Sequence, residues 1–415
     1  MHKLNAGRGY SPRVAHWQPL HSWTFKRKPF MNALRRKLLL SSSLASLSLP
    51  LFAQGSGKTT GTSLRKVVLG QSVPLTGAAD QIGLAYVAGA KLFFDAYNER
   101  ITERGTGGFQ FEQKVLDDSY NPDKAQANAK KLLADGADLL FGFFGTSACD
   151  NAAAVAREQN ALLFAPFAAS NTLRSPANNH VFHVRPGMTD EALKMLRQTT
   201  AINQGRIAVL AEDDGLGREG LAAVVAAARE LNLPPIVGTA MVPTNSDKVD
   251  AAVAQLLKLQ PQVIIQASLF QTSAAFTRKV RRAGYIGSLM NFSVVGLDPL
   301  YAALGKEITG VVVSQVVPSP SRLAVPIVKE YITQLEKTDN QPTYAGLEGF
   351  IAAKTLAEAL RRSGRSFDTP ALQKTMLAMN DYDAGGLRIN LRAGMRDPAR
   401  TVDLITIAGD GKVLR

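Results

Sequence analysis

The sequence predicts an α/β protein built from two similar lobes, each a parallel sheet covered by helices. Short apolar runs of strand length alternate with amphipathic stretches of helical length from residue 66 onward. The same alternation begins again after Arg185 and Pro186, which places a second lobe beyond that point. A length of 415 residues is enough for two lobes that each have a core.

The first lobe begins with the apolar run at 67–70 and continues through regularly spaced elements. Its clearest helix has Asn121 as N-cap and Pro122 in the first turn, and Gly136 ends it. Strands are predicted at 67–70, 110–117, 138–143 and 161–166, and further helices at 84–97 and 148–158.

The second lobe repeats this pattern with five apolar runs separated by helical segments. Its strands are predicted at 206–210, 235–240, 261–267, 287–293 and 310–317. Two helices follow at 322–337 and 345–362, and late strands at 385–391 and 401–409. The pattern alone allows these last elements to complete either lobe.

Residues 1–53 have the composition of an export leader. They hold nine of the 48 Lys and Arg residues and none of the 34 Asp and Glu residues. A basic run at 31–37 followed by an apolar, serine-containing run at 38–53 predicts a secretory signal peptide with Met31 as a candidate start. Arg35 and Arg36 leave the twin-arginine export route open. We expect a periplasmic protein, with 54–65 as a flexible tail.

Most of the net charge of +14 belongs to this leader, because 39 basic and 34 acidic residues remain beyond it. These residues form no dense basic stripe, so we expect no nucleic-acid partner. No other run is long and apolar enough to span a bilayer. The single cysteine, Cys149, does not lie directly behind the signal, so we expect no lipoprotein anchor.

Two clusters of small residues follow adjacent predicted strands of the first lobe: Gly145-Thr146-Ser147 and Ala168-Ala169-Ser170. Ligands of open α/β sheets bind beyond the carboxyl ends of the strands, and a helix N-terminus favours an anion. The clusters therefore predict a site for a small polar group. Capping is the alternative, because Ser147 and Asp150 match a capping pattern and Ser170 can cap the turn at 172–174.

The residues that could serve as catalysts or metal ligands argue against an enzyme. His180 and His183 are three apart in a short extended segment, which puts them on opposite faces and makes a poor metal pair. The paired acids at 117–118 and 213–214 fit loop capping better than catalysis. Cys149 fits a small buried helix residue. We therefore expect no catalytic residues, no metal and no cofactor.

Several segments resemble the type I periplasmic solute-binding proteins, close to the leucine/isoleucine/valine-binding branch of ABC-transporter receptors. The resemblance covers the chain from about Lys66 to its end. It is carried by VPLTGAADQIG (73–83), LDDSYNPDKAQANAKKLLADG (116–136), GFFGTS (142–147), FAPFAASNTL (164–173), IAVLAEDDGLGREGL (207–221) and GVVVSQVVP (310–318).

The resemblance implies two Rossmann-like lobes joined by three crossovers and closing on a ligand as a hinge. One lobe would comprise 66–185 and 317–384, and the other 186–316 and 385–415. A ligand carboxylate would be held at Thr146, with Ser147 beside it, and at Ala168–Ser170. At the second place the threonine of the family falls on Ala169, so Ser170 would have to replace it.

Other positions of the amino-acid binders differ in this chain. The tyrosines of their cleft fall on Ile82, on Leu216 and on Leu269 or Phe270, and the acid that pairs the ligand ammonium falls on Ser293. A buried ammonium without a partner would cost several kcal/mol. A small organic acid or amide with an apolar body would suit the cleft better, and its wall would be Ile82, Phe144, Phe167, Leu216 and Phe270.

The resemblance also implies partners. The protein would be a monomer that passes its solute to an inner-membrane ABC permease. The alternatives are a ligand-sensing receptor or regulatory module of the same fold, and an enzyme on the same scaffold. The sequence contains no acid, base or nucleophile set that supports the enzyme.

Overall fold

The computed structural model describes residues 64–105, 107–392 and 402–408, together with the backbone of 413–414. The predicted leader at 1–53 lies outside the described residues, as does nearly all of the predicted tail at 54–65. The first strand begins at Arg65, two residues before the predicted start at 67. Pairing with the neighbouring parallel strand begins at its first residue, because Arg65 is paired with Phe109.

The first sheet has five parallel strands in the order β2-β1-β3-β4-β5. They are β1 (Arg65–Val73), β2 (Phe109–Asp117), β3 (Leu139–Phe141), β4 (Leu163–Phe164) and β5 (Val181–Phe182). The helices between them are α1 (Asp80–Arg104), α2 (Pro122–Ala134) and α3 (Thr146–Glu158). As predicted, Asn121 caps α2: its side chain accepts hydrogen bonds from the N–H groups of Asp123 and Lys124.

The second sheet starts with five parallel strands, which confirms the repeat of the pattern. They are β6 (Ile207–Glu212), β7 (Gly238–Val242), β8 (Val263–Ala267), β9 (Ser288–Asn291) and β10 (Val311–Gln315). The helices of this part are α4 (Met188–Ala201), α5 (Gly215–Glu230), α6 (Asp250–Lys258), α7 (Phe270–Arg282) and α8 (Leu297–Leu304). Both lobes are therefore Rossmann-like α/β units.

After β10 the chain returns to the first lobe as α9 (Pro326–Leu335), α10 (Tyr344–Ser363) and α11 (Thr369–Ala378). Helix α10 crosses α1 so closely that a Cβ on Gly89 would overlap the carbonyl of Gly346. Beside this contact Phe93 packs edge-on against Phe350, with ring centroids 5.3 Å apart. Two helices far apart in sequence thus share one core.

The last elements divide between the lobes, unlike the implied layout that gave all of 385–415 to the second. A hairpin of β11 (Tyr382–Asp383) and β12 (Arg388–Ile389) forms its own small sheet. The carbonyl of Gly385 accepts a hydrogen bond from the Ile327 N–H (2.9 Å), so the hairpin lies on α9. The strands β13 (Asp403–Ile407) and β14 (Val413–Leu414) extend the second sheet antiparallel to β10.

The chain crosses between the lobes three times: from β5 to α4, from β10 to α9, and from β12 to β13. The carboxyl ends of parallel strands from both sheets bound the cleft between the lobes, which is where open α/β folds hold their ligands.

Candidate ligand-binding site

The first wall of the cleft is the N-terminus of α3. Gly145 precedes the helix with a φ of 92°, and Thr146 and Ser147 are its first two residues. No side chain caps this end, so the alternative in which Ser147 is the N-cap is wrong. A glycine with positive φ lets the chain turn directly from the strand edge into the helix. The two hydroxyls and the first-turn N–H groups are then left for an anion.

The second wall is the N-terminus of α5, which faces α3 from the other lobe. Asp214 caps this helix, and its Oδ1 accepts a hydrogen bond from the Gly217 N–H (2.9 Å). A Cβ on Gly215 would stand 3.4 Å from Cβ of Thr146 and closer still to the Ser147 hydroxyl. The two helix ends therefore meet in the closed arrangement of the lobes.

A cavity of about 240 Å³ opens between these helix ends. Of the predicted residues, Thr146, Ser147 and Leu216 line it. Tyr120 and Thr244, which sequence reasoning missed, line it as well, and so does Asp214, one of the acids that the sequence predicted as caps. Burial raises the pKa of Asp214, and its bonds to the helix end and to Thr244 oppose that shift. The cavity thus has hydroxyl and N–H donors on one side and a carboxylate on the other.

Tyr120 reaches the cavity from a tight turn of unusual backbone conformation. Ser119 and Tyr120 both have positive φ, at 52° and 60°. The Asp117 carboxylate holds this turn: its Oδ1 accepts from the Ser119 N–H (2.8 Å), and its Oδ2 from the Thr76 hydroxyl (2.6 Å). These bonds hold the pKa of Asp117 low although its partial burial opposes this. The acids of this loop therefore fix its shape, as the capping alternative predicted.

An aromatic pair separates this cavity from the rest of the cleft. The rings of Phe144 and Phe167 are stacked, with centroids 4.8 Å apart and planes within 8°. Their backbones form a bridge, and the Gly145 N–H donates to the Phe167 carbonyl at 3.2 Å. Only a gap of about 10 Å³ remains here, lined among others by Ala168, Leu216 and Leu269. These predicted residues are brought together.

A larger cavity of about 370 Å³ lies beyond the aromatic pair, where α1, α8, β10 and α10 meet. The predicted residues Ile82, Phe167 and Ser293 line it. Asp298 and Glu348 line it too, and sequence reasoning missed both. No Lys, Arg or His is among the described residues that line it.

A buried charge cluster lies against this cavity. Arg185 is almost fully buried between two carboxylates, 3.6 Å from Glu191 Oε1 and 3.4 Å from Glu348 Oε1. Its guanidinium also lies over the Phe167 ring, 4.6 Å from the centroid. Ser293 joins the cluster, because its N–H and hydroxyl both donate to Glu191, at 2.8 and 3.0 Å. Arg185, in the crossover between β5 and α4, is thus paired with Glu191 of the second lobe and with Glu348 of the first.

The two carboxylates of the cluster differ in their surroundings. Glu191 also accepts a hydrogen bond from the Ser314 hydroxyl (2.5 Å), so three donors and Arg185 stabilise its charge. Burial raises the pKa of Glu348 to about 7, with Arg185 lowering it and Glu191 raising it further. Of the two carboxylates, Glu348 therefore has fewer hydrogen-bond donors around it.

Three predicted residues line none of the three cavities: Ala169, Ser170 and Phe270. The Ser170 hydroxyl is fully buried and accepts a hydrogen bond from the Leu173 N–H (3.4 Å), as its capping alternative predicted. The Ala169 carbonyl accepts from Met188 at the start of α4 (2.8 Å). Phe270 is buried in the core of the second lobe.

The cysteine and histidines considered as possible catalysts are buried and hydrogen-bonded to backbone carbonyls. Cys149 is buried in α3, its thiol donates to the Phe143 carbonyl (3.2 Å), and burial raises its pKa. His180 and His183 are both buried and bond to different backbone carbonyls, of Ala153 and Leu173. Across the described residues no group of three or more His, Cys, Asp or Glu side chains could hold a metal ion. Within the same residues no helix is long and apolar enough to cross a membrane.

Two α/β lobes meet over a cleft that residues of both lobes line. A family model described as periplasmic binding protein matches residues 66–412. The chain belongs to this family, as the sequence resemblance predicted. Comparison with curated proteins finds no match.

Solved structures share the fold over nearly their full length. A possible leucine/isoleucine/valine-binding protein from Rhodopirellula baltica is 21% identical, with 86% of this chain and 98% of that chain covered and a TM-score of 0.78. A substrate-binding periplasmic protein from Ralstonia solanacearum is 25% identical, with 84% and 99% covered and a TM-score of 0.76. A fatty acid ABC transporter substrate-binding protein from Thermomonospora curvata is 17% identical, with 84% and 91% covered and a TM-score of 0.73.

Proposed function

We propose that the protein is the substrate-binding component of an ABC transporter, captures a small organic acid between its lobes and delivers it to an inner-membrane permease. In this proposal it is exported to the periplasm and acts as a monomer. Membership of the periplasmic binding protein family supports the role. The observation that carries the choice of ligand is the uncapped N-terminus of α3 in the cleft, with Thr146 and Ser147 at its first positions.

The charge of that helix end favours an anion. Its first N–H groups have no partner within the helix, and the aligned peptide dipoles add a partial positive charge. A carboxylate there would accept bonds from the hydroxyls of Thr146 and Ser147. Hydrogen bonds to a charged acceptor contribute about 1.5–3 kcal/mol each. Asp214 on the facing helix is already engaged as a cap, so it leaves this end to the ligand.

The middle of the cleft favours an apolar body. Phe144, Phe167, Leu216 and Leu269 surround the narrow gap beside the helix end. Two of the solved relatives are named for leucine, isoleucine and valine or for fatty acids, and all of these combine a carboxylate with an apolar chain. Such a ligand would exchange its hydration for the aromatic wall when the lobes close.

The position that pairs the ammonium of α-amino acids in the resembling family is Ser293 here, and it has no charge to offer. Its N–H and hydroxyl are both used by Glu191. An ammonium at the α-carbon would therefore be buried beside the carboxylate without an acid at that position. We infer that the solute is a carboxylic acid other than a simple α-amino acid.

The test is titration of the purified protein with hexanoate by isothermal calorimetry. The double variant Thr146→Ala/Ser147→Ala should bind hexanoate at least about tenfold more weakly than the wild type. Its thermal stability should stay close to wild type, because neither hydroxyl caps a helix. The Thr375→Ala variant, on α11 and away from the three cavities, is the control. Hexanoate affinity unchanged in the double variant would refute the anchor.

A further inference from the structure

The larger cavity beyond the aromatic pair contains a carboxylate that the proposed acid-binding site does not use. Its volume of about 370 Å³ is within the range of small-molecule sites. Its lining is mostly apolar, with Ile82, Val316 and Val317 among the residues that form it. Glu348 is more than nine-tenths buried and lines this cavity from α10.

The charges around Glu348 do not balance. Arg185 is the cation in contact with it, at 3.4 Å, and Arg185 also faces Glu191 at 3.6 Å. Glu191 accepts three hydrogen bonds, two from Ser293 and one from Ser314. The other titratable groups facing Glu348 are Tyr86, whose pKa is raised, and Asp298 across the cavity. Glu191 and Glu348 thus share one guanidinium, and of these two carboxylates Glu348 is the one that lines the cavity.

We propose that Glu348 binds a protonated nitrogen of the solute in this cavity. This inference rests on the proposed function, because the carboxylate of the same solute would lie at Thr146 and Ser147. A ligand cation would bring the buried cluster of Arg185, Glu191 and Glu348 to neutrality. A protonated nitrogen beside Glu348 would favour its charged form, because a buried carboxylate is more stable with a second cation in contact.

The position of the two sites defines the shape of this solute. Thr146 lines the small cavity and the narrow gap, whereas Glu348 lines the large cavity, and the stacked Phe144 and Phe167 lie between. An α-amino acid carries both charges on one carbon and cannot reach both cavities. An ω-amino acid, whose apolar chain separates the amine from the carboxylate, would reach both cavities once the Phe144 and Phe167 side chains move to admit the chain.

Three six-carbon compounds separate the two ends of the site: hexanoate, hexylamine and 6-aminohexanoate. We expect wild-type protein to bind hexylamine, and to bind 6-aminohexanoate more tightly than hexanoate. The variant Glu348→Gln should lose at least about tenfold in affinity for hexylamine and keep its affinity for hexanoate. Glu358→Gln, on the outer face of the same helix and paired with Arg361 and Arg362, is the matched control.

The pH dependence gives a second readout. Hexylamine stays protonated between pH 5 and 8, so its affinity should rise with pH as Glu348 loses its proton, with a midpoint near pH 7. Glu348→Asp should keep a rise with pH, and Glu348→Gln should abolish it.

Three outcomes would overturn the assignment. They are no hexylamine binding by the wild type, equal hexylamine binding by wild type and Glu348→Gln, or loss of binding in Asp298→Asn alone. None of them touches the hexanoate result in the Thr146 and Ser147 variant, so the two proposals fail separately.

Discussion

Gly215 on α5 lies so close to Ser147 on α3 that a methyl group on it would overlap the Ser147 hydroxyl. The two residues belong to different lobes and are each at the start of a helix. The approach of the lobes therefore depends on the absence of a side chain at this one position.

We predict that Gly215→Ala holds the lobes apart. The added methyl would displace the Ser147 hydroxyl and lie 3.2 Å from the Ser147 backbone nitrogen, so it should cost roughly 1–3 kcal/mol in the closed form only and weaken hexanoate binding by about tenfold. Unfolding by urea should change little, because the open form accommodates the methyl. Gly205→Ala is the control, since a Cβ there meets nothing within 4 Å. Equal affinity in both variants would show that this contact does not limit closure.

A second glycine should control stability instead of binding. Gly89→Ala places a methyl against the carbonyl of Gly346 where α1 crosses α10. Backbone cannot move aside as a flexible side chain would, so we expect a loss of about 1–3 kcal/mol in the free energy of unfolding. Urea denaturation measures it, with Gly205→Ala again for comparison. A stability equal to wild type would mean that the two helices separate easily.

The buried acid at the end of β6 predicts a pH effect on stability. Burial raises the pKa of Glu212 to about 7 from the ordinary value near 4.5, although Thr272 donates a hydrogen bond to it. Between about pH 4.5 and 7, Glu212 is therefore protonated in the folded state and ionised in the unfolded state. The contribution of Glu212 is fully present below pH 4.5 and is lost as the pH rises through 7, by up to about 3 kcal/mol.

Glu212→Gln should remove that loss. The amide can still accept from Thr272 and from the Asn245 N–H. We expect its free energy of unfolding to exceed that of wild type at pH 8 and to match it near pH 4.5. Parallel pH profiles for the two proteins would contradict the shift.

Cys149 offers a probe of unfolding. Its thiol is fully buried, and burial raises its pKa, so the reactive thiolate is scarce. Iodoacetamide should therefore modify the native protein very slowly and the urea-unfolded protein quickly, as mass spectrometry would show. Rapid modification under native conditions would mean that the start of α3 opens locally.

Much of the fold could be predicted because its strands are apolar and regularly spaced. The runs at 206–210 and 261–267 became β6 and β8 nearly residue for residue. The start of α3 was predicted late because a glycine N-cap with positive φ leaves no hydroxyl signal in the sequence. The strand at 385–391 was assigned to the second lobe, although β12 lies with β11 on the first, because its few apolar residues do not indicate which lobe they pack against.

The site could be predicted only where local sequence determines it. Thr146, Ser147 and Leu216 lie at strand-to-helix junctions, and such junctions are visible in the pattern. Glu348 is in the second turn of an amphipathic helix, where a glutamate normally faces water. It reaches Arg185 only because α10 returns from the second lobe to pack on α1, a contact that no local pattern indicates.

The pairing of α1 with α10 also bears on how the chain folds during synthesis. Every strand from β2 to β10 is translated between these two helices. The part of α1 that packs on α10 therefore lacks its partner until residues 344–363 have been synthesised. Non-local contacts of this kind slow folding. The nascent polypeptide would then stay incompletely folded for longer, which suits the general route of the proposed export better than the twin-arginine route.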